Sequence, residues 1–162
     1  MEQYQELMAM SKKKIIIADH ILTQTYPLIN DAKLLLPVIE NIFLAISYSM
    51  SSLIFYELYL RRIRPFQDNF IAKFNIFLTK CVPSYNIRKE HVLLIQNLRE
   101  ILIARKKSPI EFLRKDRFVI CSGDYNLTTI SFEQTRLYLN NAKEFINHIN
   151  HILNSEESVI AK

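Results

Sequence analysis

The alternation of apolar and polar residues predicts five helices. In the first, residues 3–24, four apolar side chains recur near helical spacing, and Pro27 is expected to end the helix. These side chains belong to Leu7, Met10, Ile17 and Ile21. The other helices are predicted at about residues 31–63 (capped by Asn30 or Asp31 and kinked near Pro37), 66–81, 87–107 and 132–153.

A short β-hairpin is predicted between the last two helices, at about residues 117–130. Two β-prone runs, Phe118–Cys121 and Asn126–Ile130, flank Ser-Gly-Asp-Tyr, where Gly123 supplies the positive φ. The hairpin is too short to fold alone, so one domain is expected over residues 1–153, with a frayed tail at 154–162. The predicted fold class is all-α, a five-helix up-and-down bundle carrying this hairpin.

The run Ile42–Leu60 has nearly the length of a membrane span and carries one charge, Glu57. Four serines interrupt it, at positions 47, 49, 51 and 52. A central helix buried in a bundle has the same composition, and that interpretation is favoured over a membrane-associated bundle.

Composition narrows the function classes. The 162 residues contain a single glycine, which excludes the Gly-rich phosphate loops of nucleotide-binding proteins. The two cysteines, Cys81 and Cys121, form neither a disulfide framework nor a zinc cluster, and they favour a reduced cytoplasmic protein. The net charge of +5 permits binding of nucleic acid without requiring it.

Most of the net positive charge, +4 of the surplus of +5, lies at the end of the fourth helix and just beyond it. Arg105–Arg117 holds six basic residues against two acidic ones, with aromatic residues interleaved. Such a segment is suited to phosphate backbones and unpaired bases, whereas a solvated loop and helix-end cations are the alternative interpretation. The candidate phosphate-binding residues are Arg99, Arg105, Lys106, Lys107, Arg114, Lys115 and Arg117; whether Arg99 and Arg105 share a site is left open.

The histidines give a weaker signal. Glu144, His148 and His151 lie on one face of the fifth helix, but this row lacks an evident fourth ligand, so no metal site and no cofactor are predicted. His20 and His91 are expected to be packed or capping imidazoles.

The stretch from Lys107 to Tyr125, followed by Ala142–Ile146, resembles the HEPN superfamily of small, usually homodimeric helical proteins. The resemblance covers about residues 88–150. Active members carry an Arg and a His, separated by four to six residues on one helix, that assist attack of an RNA 2′-OH. Arg99 matches the Arg, but Ala104, Arg105 and Lys106 occupy the positions where the His is expected.

The resemblance, with this His missing, implies a non-catalytic homodimer that binds RNA or another polyanion. The alternative partner is a protein, such as the nucleotidyltransferase of a toxin–antitoxin pair; no membrane partner is expected. The alternative activity is a metal-independent endoribonuclease, in which Arg99 and His91 would be the catalytic residues. A guanidinium stays protonated at neutral pH, so Arg105 cannot replace the missing base.

Overall fold

A computed structural model describes residues 1–107, 110–114, 116–121 and 126–160 of the chain. The described residues are mostly helical, with one three-stranded sheet. Helix α1 comprises Gln3–His20, a π-helical turn Ile21–Thr25, and Tyr26–Ile29. Helix α2 is Leu35–Tyr59 and follows a 3₁₀ turn at Ala32–Leu34, and α3 comprises Phe70–Ile76, a π-helical turn Phe77–Cys81, and Val82–Tyr85. Helix α4 is Lys89–Lys107, and α5 is Phe132–Ile160.

Pro27 and Pro83 lie inside helices, each just after a π-helical turn. The prediction that Pro27 ends the first helix is wrong, since α1 continues to Ile29. The Tyr26 N–H donates to the Ile21 carbonyl five residues back, and this wider turn accommodates a proline that lacks an N–H and would crowd the preceding turn. Pro83 in α3 follows a π turn in the same way.

Helix ends are set by asparagine and aspartate side chains. Asn30 and Asn86, both with left-handed backbone, end α1 and α3. Asp31 accepts a hydrogen bond from the Lys33 N–H, which confirms Asp31 as a cap. Asn69 caps α3 through the Ala72 N–H, so this helix begins at Phe70 instead of Phe66. Helix α5 continues to Ile160, into the segment predicted to fray.

Helix α2 lies at the centre of the core and contacts every other helix. The segment Ala32–Tyr59 is long and apolar enough to cross a membrane, yet 61% of its most apolar window is buried inside the molecule. This is the burial expected for the core helix of a soluble domain. Glu57, the one charged residue of the run Ile42–Leu60, is also buried, and it accepts hydrogen bonds from Tyr85 and Arg62.

Helix α1 packs on α2 through a different face from the predicted one. Met10 and Ile17 are exposed, whereas Tyr4, Met8, Ser11, Ala18 and Leu22 are buried. The Ser11 hydroxyl donates to the Ala45 carbonyl and the Ser52 hydroxyl donates to the Tyr4 carbonyl, each at 2.6 Å. Ser52 of the apolar run and Ser11 of α1 therefore join the two helices, and small residues allow their backbones to approach closely.

The sheet confirms the predicted hairpin and adds a strand to it. Strands β2 (Arg117–Cys121) and β3 (Leu127–Ile130) pair antiparallel, as expected. The segment 110–114, interpreted from the sequence as loop, instead forms β1 (Ile110–Arg114) on the other side of β2. Gly123 and the turn around it lie outside the described residues. One sheet face supplies Phe118, Ile120 and Ile130 to the core.

Candidate nucleic-acid interface

The C-terminal half of α4 lines a surface cavity of about 710 Å³, here called the arginine groove. Arg99 and Arg105 both line it, which answers the question that the sequence left open. Helices α2 and α3 and strand β1 supply the other walls. The lining residues are Glu40, Phe43, Leu44, Phe70, Arg99, Leu102, Ile103, Arg105, Lys106 and Glu111.

Arg99 is held against the aromatic wall of the groove. Its guanidinium carbon lies 4.7 Å from the centroid of the Phe70 ring, which stacks on Phe74 at 5.5 Å. Within the described part of the chain, Arg99 makes no hydrogen bond and no ion pair. A cation–π contact does not require the N–H groups of a guanidinium as hydrogen-bond donors, so Arg99 is suited to donate to a phosphate.

Arg105 has a different role, because it joins three elements of the fold. Its Nη1 lies 2.6 Å from Glu40 Oε1 on α2, and its Nε lies 3.3 Å from Glu111 Oε1 on β1. Two carboxylates thus offset one guanidinium. Arg105 shapes the groove, while Arg99 and Lys106 are the groove cations without such pairing among the described residues.

The hairpin of β1 and β2 carries the second group of predicted phosphate ligands. Arg114 and Arg117 are directly opposite each other in the strand register, and both are exposed. Like charges at opposed positions destabilise a sheet, and a bound anion would relieve that repulsion. Lys106 and Lys107 are also exposed, at the end of α4. Lys115 lies outside the described residues.

His91 lies in a separate cluster at the start of α4. The residue is 2% exposed, and its Nε2 lies 3.8 Å from Glu144 Oε2 on α5. Its ring contacts Phe145 edge-on at a centroid distance of 5.6 Å, and neither ring nitrogen makes a hydrogen bond with a described residue. Burial lowers the pKa of His91, partly opposed by Glu90.

The structure does not bring His91 and Arg99 together. They are eight residues apart on one helix, which corresponds to about 12 Å along its axis. His91 faces α5, whereas Arg99 faces the arginine groove. The two residues that the sequence nominates as catalytic therefore lie at different sites.

Two carboxylates and an arginine surround His91. Ligand atoms of Glu90, His91 and Glu144 all lie within 4.8 Å of one another, and these three residues are here called the histidine cluster. Arg88 contacts both carboxylates, with its Nη1 3.0 Å from Glu90 Oε1 and 3.6 Å from Glu144 Oε2. Of the row Glu144, His148 and His151, only Glu144 belongs to this cluster.

A second basic cavity, of about 470 Å³, follows the end of α2. Arg61, Arg62, Arg64 and Lys80 line it and are exposed. Arg62 is committed to Glu57 and Tyr85. This cavity lies on a different part of the chain from the arginine groove, and it offers a surface against which binding at that groove can be compared.

No protein-family model, curated protein or solved structure matches the chain. The assignment of a function therefore depends on the geometry of these sites.

The pairing of His91 with Glu144 was not predicted from the sequence. His91 falls on the apolar face of α4, a position that predicts only a packed imidazole, and the sequence pattern places Glu144 in a row along α5. The contact depends on how α4 and α5 pack, which neither helix encodes in its own periodicity. The residue types alone indicate that such a contact is needed, because a histidine on the apolar face of one helix requires a polar partner on another element.

Proposed function

We propose that this protein is a HEPN-like, non-catalytic, homodimeric helical bundle that binds single-stranded RNA in the cytoplasm. The observation that carries the proposal is the arginine groove, where Arg99 is stacked on Phe70 beside the exposed Lys106. A cation placed on an aromatic wall offers phosphate and base contacts at one point. The exposed arginine pair at the far end of the β1–β2 hairpin supplies two further cations.

A binding role is favoured over cleavage because no histidine is among the described residues that line the groove. Arg99, Arg105 and Lys106 are its basic residues, and a guanidinium does not act as a general base. His91 is buried at the other end of α4. The helical content and the hairpin agree with the fold that the resemblance implies.

Dimer formation is supported by apolar side chains left on the surface. Ile16, Leu28 and Ile29 of α1 are more than half exposed, as is Leu137 of α5. A second copy of the chain would cover such residues, since symmetric pairing is the usual way in which small proteins bury surplus apolar surface. The same residues would serve a nucleotidyltransferase-type partner if the chain binds protein instead of RNA.

The affinity for RNA is expected to fall steeply with salt. Each phosphate contact on a single strand contributes a slope of about −0.7 in log affinity against log salt. Five contacts give a slope of about −3.5, or about a hundredfold loss of affinity between about 50 and about 200 mM salt. The five cations are Arg99, Lys106, Lys107, Arg114 and Arg117.

The experiment is fluorescence anisotropy with a mixed pool of labelled single-stranded RNA, measured across that salt range. The double variant Arg114→Gln/Arg117→Gln is expected to make the slope shallower by about 1.4, because two phosphate contacts are removed. The matched control is Lys12→Gln/Lys13→Gln, which removes the same charge from exposed positions on α1. The control is expected to keep most of the affinity and the slope.

Two results would contradict the proposal. Absence of binding at low salt would leave a protein partner as the explanation of the surface. Equal losses in the hairpin variant and the α1 control would show that only net charge matters. Incubation of the RNA in EDTA with wild type and Arg99→Ala tests the alternative: cleavage that disappears in the variant would make the protein a nuclease.

A further inference from the structure

We propose that Glu90, His91 and Glu144 bind a divalent transition-metal ion, with one imidazole nitrogen and two carboxylate oxygens as protein ligands. The three ligand atoms lie within 4.8 Å of one another, although the residues come from two helices. Zinc and neighbouring ions bind this combination of nitrogen and oxygen donors. The site is separate from the arginine groove and does not depend on RNA binding.

The buried imidazole is the first reason to infer a ligand. His91 is 2% exposed, and neither of its nitrogens makes a hydrogen bond with a described residue. A buried polar group without a partner is costly, and native proteins rarely retain one without a reason. Its Nε2 points toward Glu144 Oε2 across 3.8 Å, a gap too wide for a hydrogen bond.

That gap is close to the spacing that a metal ion needs. Tetrahedral coordination with bonds of about 2.1 Å separates two ligand atoms by roughly 3.4 Å. The His91–Glu144 distance of 3.8 Å therefore needs only a small contraction. His91 is fixed against Phe145, whereas Glu90 and Glu144 are exposed and can adjust their side chains.

In the structure, Arg88 supplies the positive charge that faces the two carboxylates of the histidine cluster. Its guanidinium contacts both Glu90 and Glu144, and its side chain is 65% exposed, so it can move into solvent when an ion binds. Arg88 and a metal ion then compete for the same carboxylates. Removal of Arg88 is expected to tighten metal binding, an effect that a purely structural cluster would not show.

The ion would face an open cavity. Glu90 and Glu144 line a groove of about 470 Å³ between α4 and α5, together with side-chain amides. With three protein ligands, a zinc ion keeps at least one coordination position for water or a small ligand. The amides belong to Asn97, Gln134, Asn140 and Asn141.

The test is titration of the full chain, free of any affinity tag, with Zn²⁺ by calorimetry and with Co²⁺ by visible absorption. Wild type is expected to bind one ion per chain, with cobalt bands typical of nitrogen and oxygen ligands. Glu144→Gln and His91→Gln are expected to lose this binding. Arg88→Gln is expected to bind up to about fivefold more tightly, the range of a partly exposed ion pair.

Matched controls come from the same helices. Glu133→Gln changes an exposed carboxylate of α5 outside the cluster, and His151→Gln changes an exposed histidine of that helix. Both are expected to bind zinc as wild type does. Since Glu144 is exposed, Glu144→Gln should keep the fold even if His91→Gln does not, and circular dichroism verifies this.

The proposal is overturned if wild type binds no zinc, or if Glu144→Gln binds it as tightly as wild type. It is also overturned if binding is lost in His151→Gln, because the ion would then belong to the exposed row on α5. Weaker binding in Arg88→Gln would show that Arg88 supports the cluster and does not compete with an ion there.

Discussion

Three buried serines, one on α1 and two on α2, give a prediction whose sign depends on hydrogen bonding. Ser52 is buried and donates to the Tyr4 carbonyl at 2.6 Å, and Ser11 donates to the Ala45 carbonyl at the same distance. Ser49 is also fully buried, but its hydroxyl makes no hydrogen bond with a described residue. The same substitution to alanine is therefore expected to have opposite effects at Ser52 and Ser49.

The size of each effect follows from the free energy that a buried hydroxyl contributes when it is hydrogen-bonded and when it is not. Loss of a typical hydrogen bond in Ser52→Ala lowers the free energy of unfolding by about 1 kcal/mol. Removal of an unsatisfied hydroxyl in Ser49→Ala raises it by about 1 kcal/mol. Both residues lie in the interior of α2, so the gain in helix propensity is common to both and cancels. The two variants are expected to differ by about 2 kcal/mol.

Urea unfolding followed by circular dichroism measures this difference. With a slope of about 2 kcal/mol per M, the unfolding midpoints of the two variants should lie about 1 M apart, Ser49→Ala being the higher. Ser11→Ala should behave like Ser52→Ala, because its hydroxyl has the same kind of partner. Equal midpoints for Ser49→Ala and Ser52→Ala would refute the reasoning, since the hydrogen bonds would then contribute nothing.

Three further predictions concern the thiols, the groove and the core. Burial, followed by the charge of Glu57, raises the pKa of Cys81 to about 12, so at pH 8 this residue holds about a thousandfold less thiolate than an ordinary thiol. A thiol reagent should therefore label the partly exposed Cys121 rapidly and Cys81 only on unfolding. Rapid labelling of both cysteines in the folded protein would contradict this. Arg105→Ala should lower the free energy of unfolding by only about 0.5 to 1 kcal/mol, because its ion pairs are partly exposed, and a loss well beyond that in urea unfolding would show a buried role. Phe77→Ala should cost about 3 to 5 kcal/mol, because Phe77 is fully buried and contacts Phe145, and a smaller effect would mean that the core collapses around the gap.

The sequence by itself determined where the helices and the hairpin lie. Helical periodicity and caps are local properties, so α4 and the start of α5 agree with the prediction to within a few residues. The β2–β3 pair was also evident, because two β-prone runs flank a glycine turn. The helix limits at Pro27 and Phe66 were wrong, because a π turn and the Asn69 cap decide them and neither appears in hydrophobic periodicity.

The candidate site was predictable only in part. The sequence names Arg99, Arg105 and Lys106 of α4 as phosphate-binding candidates, and all three line one groove in the structure. The groove itself required Phe70 from α3 and Glu111 from β1, residues far from α4 in the sequence. Strand β1 was missed because a five-residue edge segment becomes a strand only when β2 provides its hydrogen-bonding partner.

Tertiary structure decided which residues are buried and which side chains meet. Ser11 is buried in place of Met10 because a hydroxyl bonded to a helix carbonyl permits closer approach of two helices than a long apolar side chain does. His91 meets Glu144 only because α4 packs beside α5. Periodicity along one helix specifies its own faces, but the partner of each face depends on packing between distant segments, and that arrangement is a property of the whole chain.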